Sequence, residues 1–170
     1  MTWRSLTFPP IGNSFLGHLG VADVAASPGF TELRSELLPH ERGSVVHVSD
    51  DITGWLELAT QQANASSYRF DIRSLHGPDE PKIIDLSEPD DAAALSTLRI
   101  CEDRGTAKLT VLLAFDGAGT VELGGAGVSH AVHLTSGQLV VAPAYLVLHV
   151  SEPSSSLRCL WTTGHGPAFR

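Results

Sequence analysis

The sequence has few cysteines, few basic residues and no long apolar run, and each shortage excludes a class of protein. Its two cysteines, Cys101 and Cys159, are too few for the disulfide framework of a small secreted domain, so we expect a reduced, cytoplasmic protein. Lys and Arg total 11 against 19 Asp and Glu, and the net charge of −8 disfavours nucleic acid or an anionic membrane as a partner. No apolar run reaches about 18 residues, which predicts no membrane-spanning helix.

Helical periodicity occurs in the first third of the chain. The length of 170 residues suits a single domain, and within it we predict a helical N-terminal part over residues 1–66. One helix is expected after Ser27-Pro28, ending at Pro39, and a second over 51–65. The apolar face of the second helix consists of Ile52, Trp55, Leu56, Ala59 and Ala63.

Short strands separated by Gly, Pro and Asp are predicted from Tyr68 onward. The candidates are 68–73, 82–86, 96–101, 107–115, 119–123, 129–134, 138–142, 145–150 and 157–163, with a short strand also possible at 45–48. The segment 74–94 is rich in Pro and Asp and is interpreted as a largely irregular loop. The pattern predicts a mainly β (α+β) fold, a sandwich or jelly-roll barrel over 67–170 with two helices packed on one face.

Five stretches match, in order, the motifs of one enzyme family. They are NASSYRFDI (64–72), AKLTVLLAF (107–115), GQLVVAP (137–143), Arg158 and GHGPAFR (164–170). On these the whole chain resembles the prolyl-hydroxylase-like oxygenases that depend on Fe(II) and 2-oxoglutarate. The resemblance implies a double-stranded β-helix, the cupin-like jelly-roll barrel. It also implies that Arg158 occupies the position of the arginine that binds 2-oxoglutarate.

The iron ligands of that family are missing from the matching positions. The family binds Fe(II) with two histidines and one carboxylate, the first two arranged as His-x-Asp or His-x-Glu. No such triplet occurs in this sequence. Counted back from Lys108, the motif falls near Leu95-Ser96-Thr97, which offers two groups without affinity for iron and one weak hydroxyl. We therefore expect no cofactor. The alternative is that displaced ligands hold Fe(II) and 2-oxoglutarate.

The third ligand position is occupied by Leu148, beside His149. Leu148 keeps the family's ten-residue spacing to Arg158 and its five-residue spacing from Pro143, and His149 breaks both. Successive residues of a strand point to opposite sides, so an inward Leu148 requires an outward His149. The sequence therefore favours a lost iron site.

A different metal site is the remaining alternative. His133 and an inward His149 would meet across neighbouring strands, and Glu122 or Asp116 would supply an oxygen ligand, as in a cupin-like site. In the favoured interpretation these histidines occupy ordinary surface positions, and His76 belongs to a surface loop.

A barrel without iron would keep a pocket. Arg158 is then a candidate anchor for an anionic or carbonyl group, unless it forms an ion pair with an acidic neighbour such as Glu152. Lys108 is the candidate acid/base or Schiff-base group. The candidate substrate-binding residues are Tyr68, Tyr145, Trp161 and Leu148.

Three functions follow from this sequence. The first is a metal-free pocket enzyme that performs a non-redox step, such as cyclisation, isomerisation or dehydration, on a small carbonyl or carboxylate intermediate. The second is an active Fe(II)/2-oxoglutarate hydroxylase with displaced ligands. The third is a non-catalytic pseudo-oxygenase that acts as a binding or partner subunit, in a homo-oligomer or with another protein. The first is favoured because a retained Arg158 has no obvious use in a purely structural remnant.

Overall fold

Nine strands and three helices form the described part of the chain. The computed structural model describes residues 2–11, 15–77, 80–96, 106–125, 127–144, 147–151 and 153–168. In chain order the elements are β1 (Thr2–Ile11), β2 (Phe15–Asp23), α1 (Pro28–Leu37), α2 (Asp50–Ser67), β3 (Ser74–Leu75), β4 (Lys82–Asp85), α3 (Pro89–Leu95), β5 (Ala107–Gly125), β6 (Val128–Thr135), β7 (Gln138–Pro143), β8 (His149–Val150) and β9 (Leu157–His165). The prediction of a mainly β fold with helices is confirmed.

Strand β5 is the centre of a curled antiparallel sheet. Its first half pairs with β7 on one edge and β9 on the other. Its second half pairs with β6 and β8. The sheet order is β1-β2-β7-β5-β9-β3, and β4 also pairs with β9. One strand thus belongs to two layers, and the sheet folds over itself where β5 bends.

The bend in β5 coincides with a shift in its pairing register and with a position that requires glycine. The pairing with β9 shifts by one residue between Ala114 and Asp116, as in a β-bulge. Next to the bulge, Gly117 has φ +85°, in the left-handed region. A Cβ on Gly117 would lie 2.2 Å from the carbonyl oxygen of Ser156, so the two backbones approach too closely for any side chain.

Side chains of β5 alternate between two apolar cores. The helix-side core lies between the sheet and the helices and includes Leu109, Val111, Leu113, Phe115, Phe30, Leu33, Leu37, Leu56, Ala59 and Ala63. The inner core lies between the two layers of the curled sheet and includes Leu112, Ala114, Val121, Leu123, Val132, Leu134, Leu148, Val150, Cys159 and Trp161. Full burial of one such side chain contributes about 1.5–3 kcal/mol, so both cores contribute to stability.

Both predicted helices are present on one face of the sheet. In α1, Phe30, Leu33 and Leu37 are buried at the predicted helical spacing. Helix α2 spans Asp50–Ser67, close to the predicted 51–65. Near its end, the buried Asn64 amide donates to the carbonyl of Phe70 at 2.7 Å and accepts the Phe70 amide at 2.9 Å. The asparagine of NASSYRFDI therefore has a structural role here, since it closes the turn that follows α2.

The predicted helical N-terminal part, residues 1–66, is helical only from residue 28 onward. Residues 2–11 and 15–23 form the antiparallel strands β1 and β2, and β2 pairs with β7 from Gly20↔Val141 to Asp23↔Gln138. Pro9-Pro10 removes two backbone donors and would interrupt a helix there. The first helix begins at Pro28, after the end of β2 in the chain.

Several strand predictions also need correction. Residues 68–73 form no strand. Arg69 has a left-handed backbone (φ 57°), and the side chain of Asn64 is hydrogen-bonded to both the amide and the carbonyl of Phe70. At 45–48 there is only an isolated bridge from Val45 to Lys82. The separate strands 107–115 and 119–123 are one strand, β5. Of the predicted strands 96–101 and 145–150, residues 97–101 and 145–146 lie outside the described residues.

The segment 74–94 is not the largely irregular loop that was predicted. It contains β3 and α3, and the strand predicted at 82–86 is present as β4. Its acidic residues accept local hydrogen bonds. Asp85 accepts from the Ser87 hydroxyl at 2.7 Å and from the Leu157 amide at 3.0 Å. Asp91 accepts the Asp85 amide at 2.8 Å. Acidic residues that are typical of a loop therefore hold β4 against α3 by hydrogen bonds.

None of the helices in the described residues has the length and apolar character needed to cross a membrane.

Substitution of Gly117 by alanine tests the bend in β5. Gly127 is the matched control, because it also has a left-handed φ (+79°) but has open space around a Cβ. We expect Gly127→Ala to cost about 1–2 kcal/mol through backbone strain alone. Gly117→Ala should cost about 2 kcal/mol more, because the clash with Ser156 is added. Urea unfolding measures both free energies, and equal losses would contradict the close approach.

Candidate functional site

The position predicted for the third iron ligand lies in the inner core. Leu148 is 1% exposed there, and His149 is exposed on β8, as strand alternation predicts. Trp161 is also in this core at 7% exposure. Leu95, at the first position of the missing His-x-Asp, packs into the same core. Leu95 and Leu148 are thus packing groups, and their side chains have no atom that could bind Fe(II); Thr97, at the remaining ligand position, lies outside the described residues.

Arg158 lies on β9 and points to the helix side of the sheet, away from the inner core. Its Cζ is 5.0 Å from the centroid of the Phe115 ring. Nη1 donates to the carbonyl of Leu38 at 3.3 Å, and Nη2 donates to the carbonyl of His40. Nη1 also lies 3.3 Å from Asp116 Oδ2. Since backbone carbonyls at a helix end lack helical partners, the guanidinium both caps α1 and attaches it to the sheet.

A second arginine completes this arrangement, which we call the arginine clamp (Arg34, Asp116 and Arg158). Arg34 Nε donates to the carbonyl of Phe115 at 2.9 Å, and Nη2 lies 3.8 Å from Asp116 Oδ1. The Arg158 side chain is only 20% exposed. The expected alternative for Arg158, an ion pair, is therefore present with Asp116, while Glu152 lies outside the described residues.

Lys108 is buried on β5, at 4% exposure. Burial lowers the pKa of its ammonium group. The β5–β9 register shifts at this residue, since Ala107 pairs with His165 but Leu109 pairs with Gly164. Its Cγ is 3.4 Å from where a Cβ on Gly166 would lie, so the stem of the side chain packs against that glycine.

Arg158 and Lys108 are not brought together. Arg158 is opposite Asp116 on β5, and Lys108 lies eight residues earlier on that strand. At about 3.3 Å per residue the separation along the strand is roughly 26 Å. Two side chains cannot contact one small substrate across that distance.

The predicted aromatic residues are also distributed over different parts of the fold. The Tyr68 hydroxyl donates to the carbonyl of Val141 at 2.9 Å, and its ring stacks on Phe70 at 5.9 Å. Tyr68 packs against the helix-side core, whereas Trp161 is in the inner core. Tyr145 lies outside the described residues. Three clefts, two beside α2 and one beside His149, are lined by none of Tyr68, Trp161 and Leu148.

The alternative histidine pair is too far apart to share a metal ion. His133 on β6 is opposite Thr120, and His149 on β8 is opposite Gly124. The two strands lie on opposite edges of β5, and four residues along it separate the pairs by roughly 13 Å. His133 Nδ1 instead lies 3.2 Å from the Thr120 hydroxyl. Across the described ranges, no group of three or more His, Cys, Asp or Glu side chains could hold a metal ion.

A polar network that the sequence did not predict lies at the sheet edge between β3 and β4. His76 is half-buried rather than in a surface loop, with a left-handed φ of 66°. Its Nδ1 is 2.7 Å from the Thr162 hydroxyl, which donates to Glu80 Oε2 at 3.3 Å. Glu80 also accepts the amide and the hydroxyl of Thr163 at 2.9 and 2.8 Å. The spacing of these residues in the sequence carries no signal, because the edge of the sheet brings them together.

The network determines the tautomer of His76. The Thr162 hydroxyl donates to Glu80 Oε2, so its oxygen is free to accept a hydrogen bond from His76 Nδ1, and Nδ1 then carries the proton of the neutral ring. Nε2 of the neutral ring is then a buried acceptor without a hydrogen-bond partner. Burial lowers the pKa of His76, although the charges of Glu80 and Glu57 act to raise it.

Two clefts flank the outer surface of α2. Cleft 1, of about 330 Å³, lies between α2 and the segment that precedes α1, and Trp55 and Asp23 are among the residues that line it. Cleft 2, of about 280 Å³, lies between α2 and residues 72–75. Leu58 borders both clefts and is 59% exposed. The sequence could have indicated this residue, because Leu58 falls outside the apolar face predicted for the helix.

Comparisons with known proteins add no relative from which a role could be transferred. No protein-family model matches the chain, and no curated protein matches it. The roles of the site residues therefore rest on the geometry above.

Replacement of Arg158 by lysine tests the arginine clamp. A lysine keeps the charge but has no planar fork, so it cannot bond the Leu38 and His40 carbonyls and Asp116 together. We expect Arg158→Lys to lower the free energy of unfolding by about 1–3 kcal/mol. Hydrogen exchange should increase in residues 28–40. Arg73→Lys is the control, since Arg73 is 70% exposed and pairs only with Asp71 among the described residues. Equal stability of the two variants would contradict a structural role for Arg158.

Stability should depend on the protonation of His76. Its pKa is lowered in the folded protein, so the neutral ring is favoured there. The corresponding stability is fully present above the ordinary histidine pKa of about 6.5 and is lost as pH falls through the lowered pKa. His76→Gln keeps a neutral donor and should flatten this dependence between about pH 7 and pH 5. Urea unfolding at several pH values measures it, with the exposed His47→Gln as control. If the stability of His76→Gln depended on pH as steeply as that of the wild type, His76 would not be the group responsible.

Proposed function

We propose that the chain is a degenerate relative of the prolyl-hydroxylase-like oxygenases that acts as a non-catalytic binding or partner subunit. Its curled sheet corresponds in this proposal to the family's jelly-roll barrel. The protein is proposed to work in the cytoplasm, without Fe(II) or 2-oxoglutarate, and to function through its surface. This reverses the preference drawn from the sequence, in which the retained Arg158 favoured an enzyme.

The observation that carries the proposal is the use of Arg158. An oxygenase needs this arginine and its iron ligands on the same side of the sheet, around one cosubstrate. Here Leu148 belongs to the inner core, and Arg158 is on the other side of the sheet, bonded to the end of α1. A guanidinium with a carbonyl, a carboxylate and an aromatic ring around it is satisfied without a ligand. Arg158 therefore has a structural use, which removes the main argument for a pocket enzyme.

One observation favours a metal-free enzyme as the second candidate. The His76–Thr162–Glu80 chain ends in an unpartnered Nε2, and a left-handed φ at a non-glycine residue is a feature of functional sites. A neutral imidazole is a general base. In this candidate the acid–base work on a carbonyl or carboxylate substrate would fall to His76 instead of Arg158 or Lys108.

Ligand titration distinguishes the proposal from an oxygenase. The wild-type protein is titrated anaerobically with Fe(II) and 2-oxoglutarate in a calorimeter, and its thermal unfolding is followed with and without both. A ligand present at 100 times its Kd would stabilise the folded state by about 2.7 kcal/mol, so binding would raise Tm visibly. We expect no heat and no shift. A Tm increase that Arg158→Gln abolishes would contradict the proposal.

The same assay, run with a panel of small keto acids and dicarboxylates, tests the second candidate. A compound that raises Tm of the wild type but not of His76→Gln would favour the enzyme. His47→Gln serves as the control, because His47 is exposed and lies outside the network.

A further inference from the structure

A row of polar side chains on α2 faces the chain that returns along the helix after the helix ends. These side chains recur every three or four residues and so share one side of the helix. They form what we call the polar row: Glu57, Thr60, Gln61 and Asn64. Asn64 is bonded to both backbone groups of Phe70, and Gln61 Nε2 donates to the carbonyl of Ile72 at 2.9 Å. These bonds close the C-terminal half of the polar row against the returning chain.

The N-terminal half of the polar row is open. Thr60 is buried, at 0% exposure, and its Oγ1 has no hydrogen-bond partner in the described part of the chain. Glu57 is exposed, and no described residue forms an ion pair or a hydrogen bond with its carboxylate. Its charge acts to raise the pKa of His76, which places the carboxylate near the returning chain. Buried polar groups normally have partners, so the Thr60 hydroxyl requires an explanation.

Cleft 2 lies at this open half of the polar row. Thr60 and Glu57 line it from α2, and Ser74 lines it from the returning chain. Its volume of about 280 Å³ equals that of roughly nine water molecules at about 30 Å³ each, which suits a small organic ligand. The apolar side chains that line it are Leu58, Ile72 and Leu75. The cleft therefore combines an apolar wall with two polar groups that no described residue satisfies.

The charge of cleft 2 favours a cationic ligand. Of the residues that line it, Glu57 and Arg73 are charged. Arg73 is already paired, because Asp71 Oδ2 accepts from its Nε at 3.2 Å and from its Nη2 at 3.0 Å. Glu57 has no such counterion among the described residues, and the net charge of the chain is −8. A carboxylate ligand would be repelled there, whereas an ammonium group would find an unpaired acceptor.

We propose that cleft 2 binds a small primary ammonium compound with a short apolar stem. An ammonium group has three donors and no acceptor. It donates to the Glu57 carboxylate and to Thr60 Oγ1, while the stem packs against Leu58, Ile72 and Leu75. The ligand thus completes the polar row at the turn where the described part of the returning chain does not. This names a ligand class for the proposed binding function and rests on that function.

Cleft 1 is the less suitable of the two clefts on α2, although Trp55 lines it and an indole ring attracts cations. Its acidic lining residue is Asp23. Ala22 belongs to the helix-side core, so the next residue of β2 points to the opposite side of the sheet. Asp23 Oδ1 also accepts the amide of Ala25 at 3.0 Å. A cation at Trp55 would therefore lack the carboxylate that cleft 2 provides.

An NMR titration of the isotope-labelled full chain with three compounds of equal carbon number tests the ligand class. The compounds are pentylammonium, pentanol and pentanoate, which differ only in the polar group at one end. We expect pentylammonium to shift the amide signals of residues 57–61 and 72–75 in a saturable way, with a Kd on the order of 1 mM for so small a compound. Pentanol should bind more weakly, and pentanoate should cause no saturable shift.

Two substitutions test the polar contacts. Glu57→Gln should raise the Kd for pentylammonium about threefold or more, a modest loss because the carboxylate is exposed. Glu32→Gln is the matched control, since Glu32 is an exposed residue of α1 that does not line the cleft. Thr60→Val removes the hydroxyl and keeps the shape of the side chain. It should weaken binding by a similar factor and raise Tm of the free protein, because a buried hydroxyl without a partner is lost.

The absence of a saturable shift with pentylammonium, equal binding of pentanoate, or shifts confined to residues 23–27 and 55 would overturn this inference. Equal Kd values for Glu57→Gln and Glu32→Gln would do the same. A lower Tm of Thr60→Val would contradict it too, because the hydroxyl would then have a structural role. The titration with Fe(II) and 2-oxoglutarate does not involve cleft 2. A chain that binds none of the three compounds and no Fe(II) would refute this site and leave the proposed function intact.

Discussion

The structure depends on the burial of both faces of strand β5. Alternate side chains of its first half enter the helix-side core and the inner core, and its second half closes over the inner core. This is possible because the strand bends next to a bulge, where Gly117 lets two backbones meet. Both sides of the sheet are thereby filled with apolar side chains. The inner core that would hold a cofactor in an oxygenase is part of the protein's stability.

The arginine clamp follows from this arrangement. The last backbone carbonyls of a helix have no partner within the helix, so they need hydrogen-bond donors from elsewhere. Arg158 supplies these donors from β9. Beside it, Arg34 donates to the carbonyl of Phe115, and Asp116 pairs with Arg158. A side chain that resembles a cosubstrate anchor in the sequence is thus a structural donor in the fold. Such a donor is also consistent with a protein that works through its outer surface.

Much of the fold was predictable, because burial leaves a periodic pattern in the sequence. Phe30, Leu33 and Leu37 indicated α1, and strand alternation correctly placed Leu148 inside and His149 outside. The β1–β2 hairpin was missed, because the helical pattern that begins at residue 28 was extended backward over Pro9-Pro10. Within 74–94 the predicted strand 82–86 is present as β4, whereas β3 and α3 were missed for another reason. Asp85 and Asp91 resemble loop residues in composition, and their hydrogen bonds to Leu157 and to the Asp85 amide depend on tertiary contacts.

The candidate site was less predictable than the fold. A motif match places a residue in the chain and does not give the side of the sheet to which it points. Arg158 has the family's spacing from Leu148, yet the two side chains lie on opposite sides. His76, Thr162 and Glu80 are up to 86 residues apart in the chain, so only the folded sheet edge reveals their network.

The central claim is that the inner core is closed to ligands, and methyl NMR tests it most directly. The Leu and Val methyl groups would be labelled, and the protein titrated with Mn(II) and 2-oxoglutarate, where Mn(II) replaces iron as a paramagnetic probe. Our account predicts that the methyl signals of Leu112, Leu148 and Val150 keep their positions and line widths. Broadening of the Leu148 and Val150 signals that requires 2-oxoglutarate would show a metal inside the sheet and would contradict it.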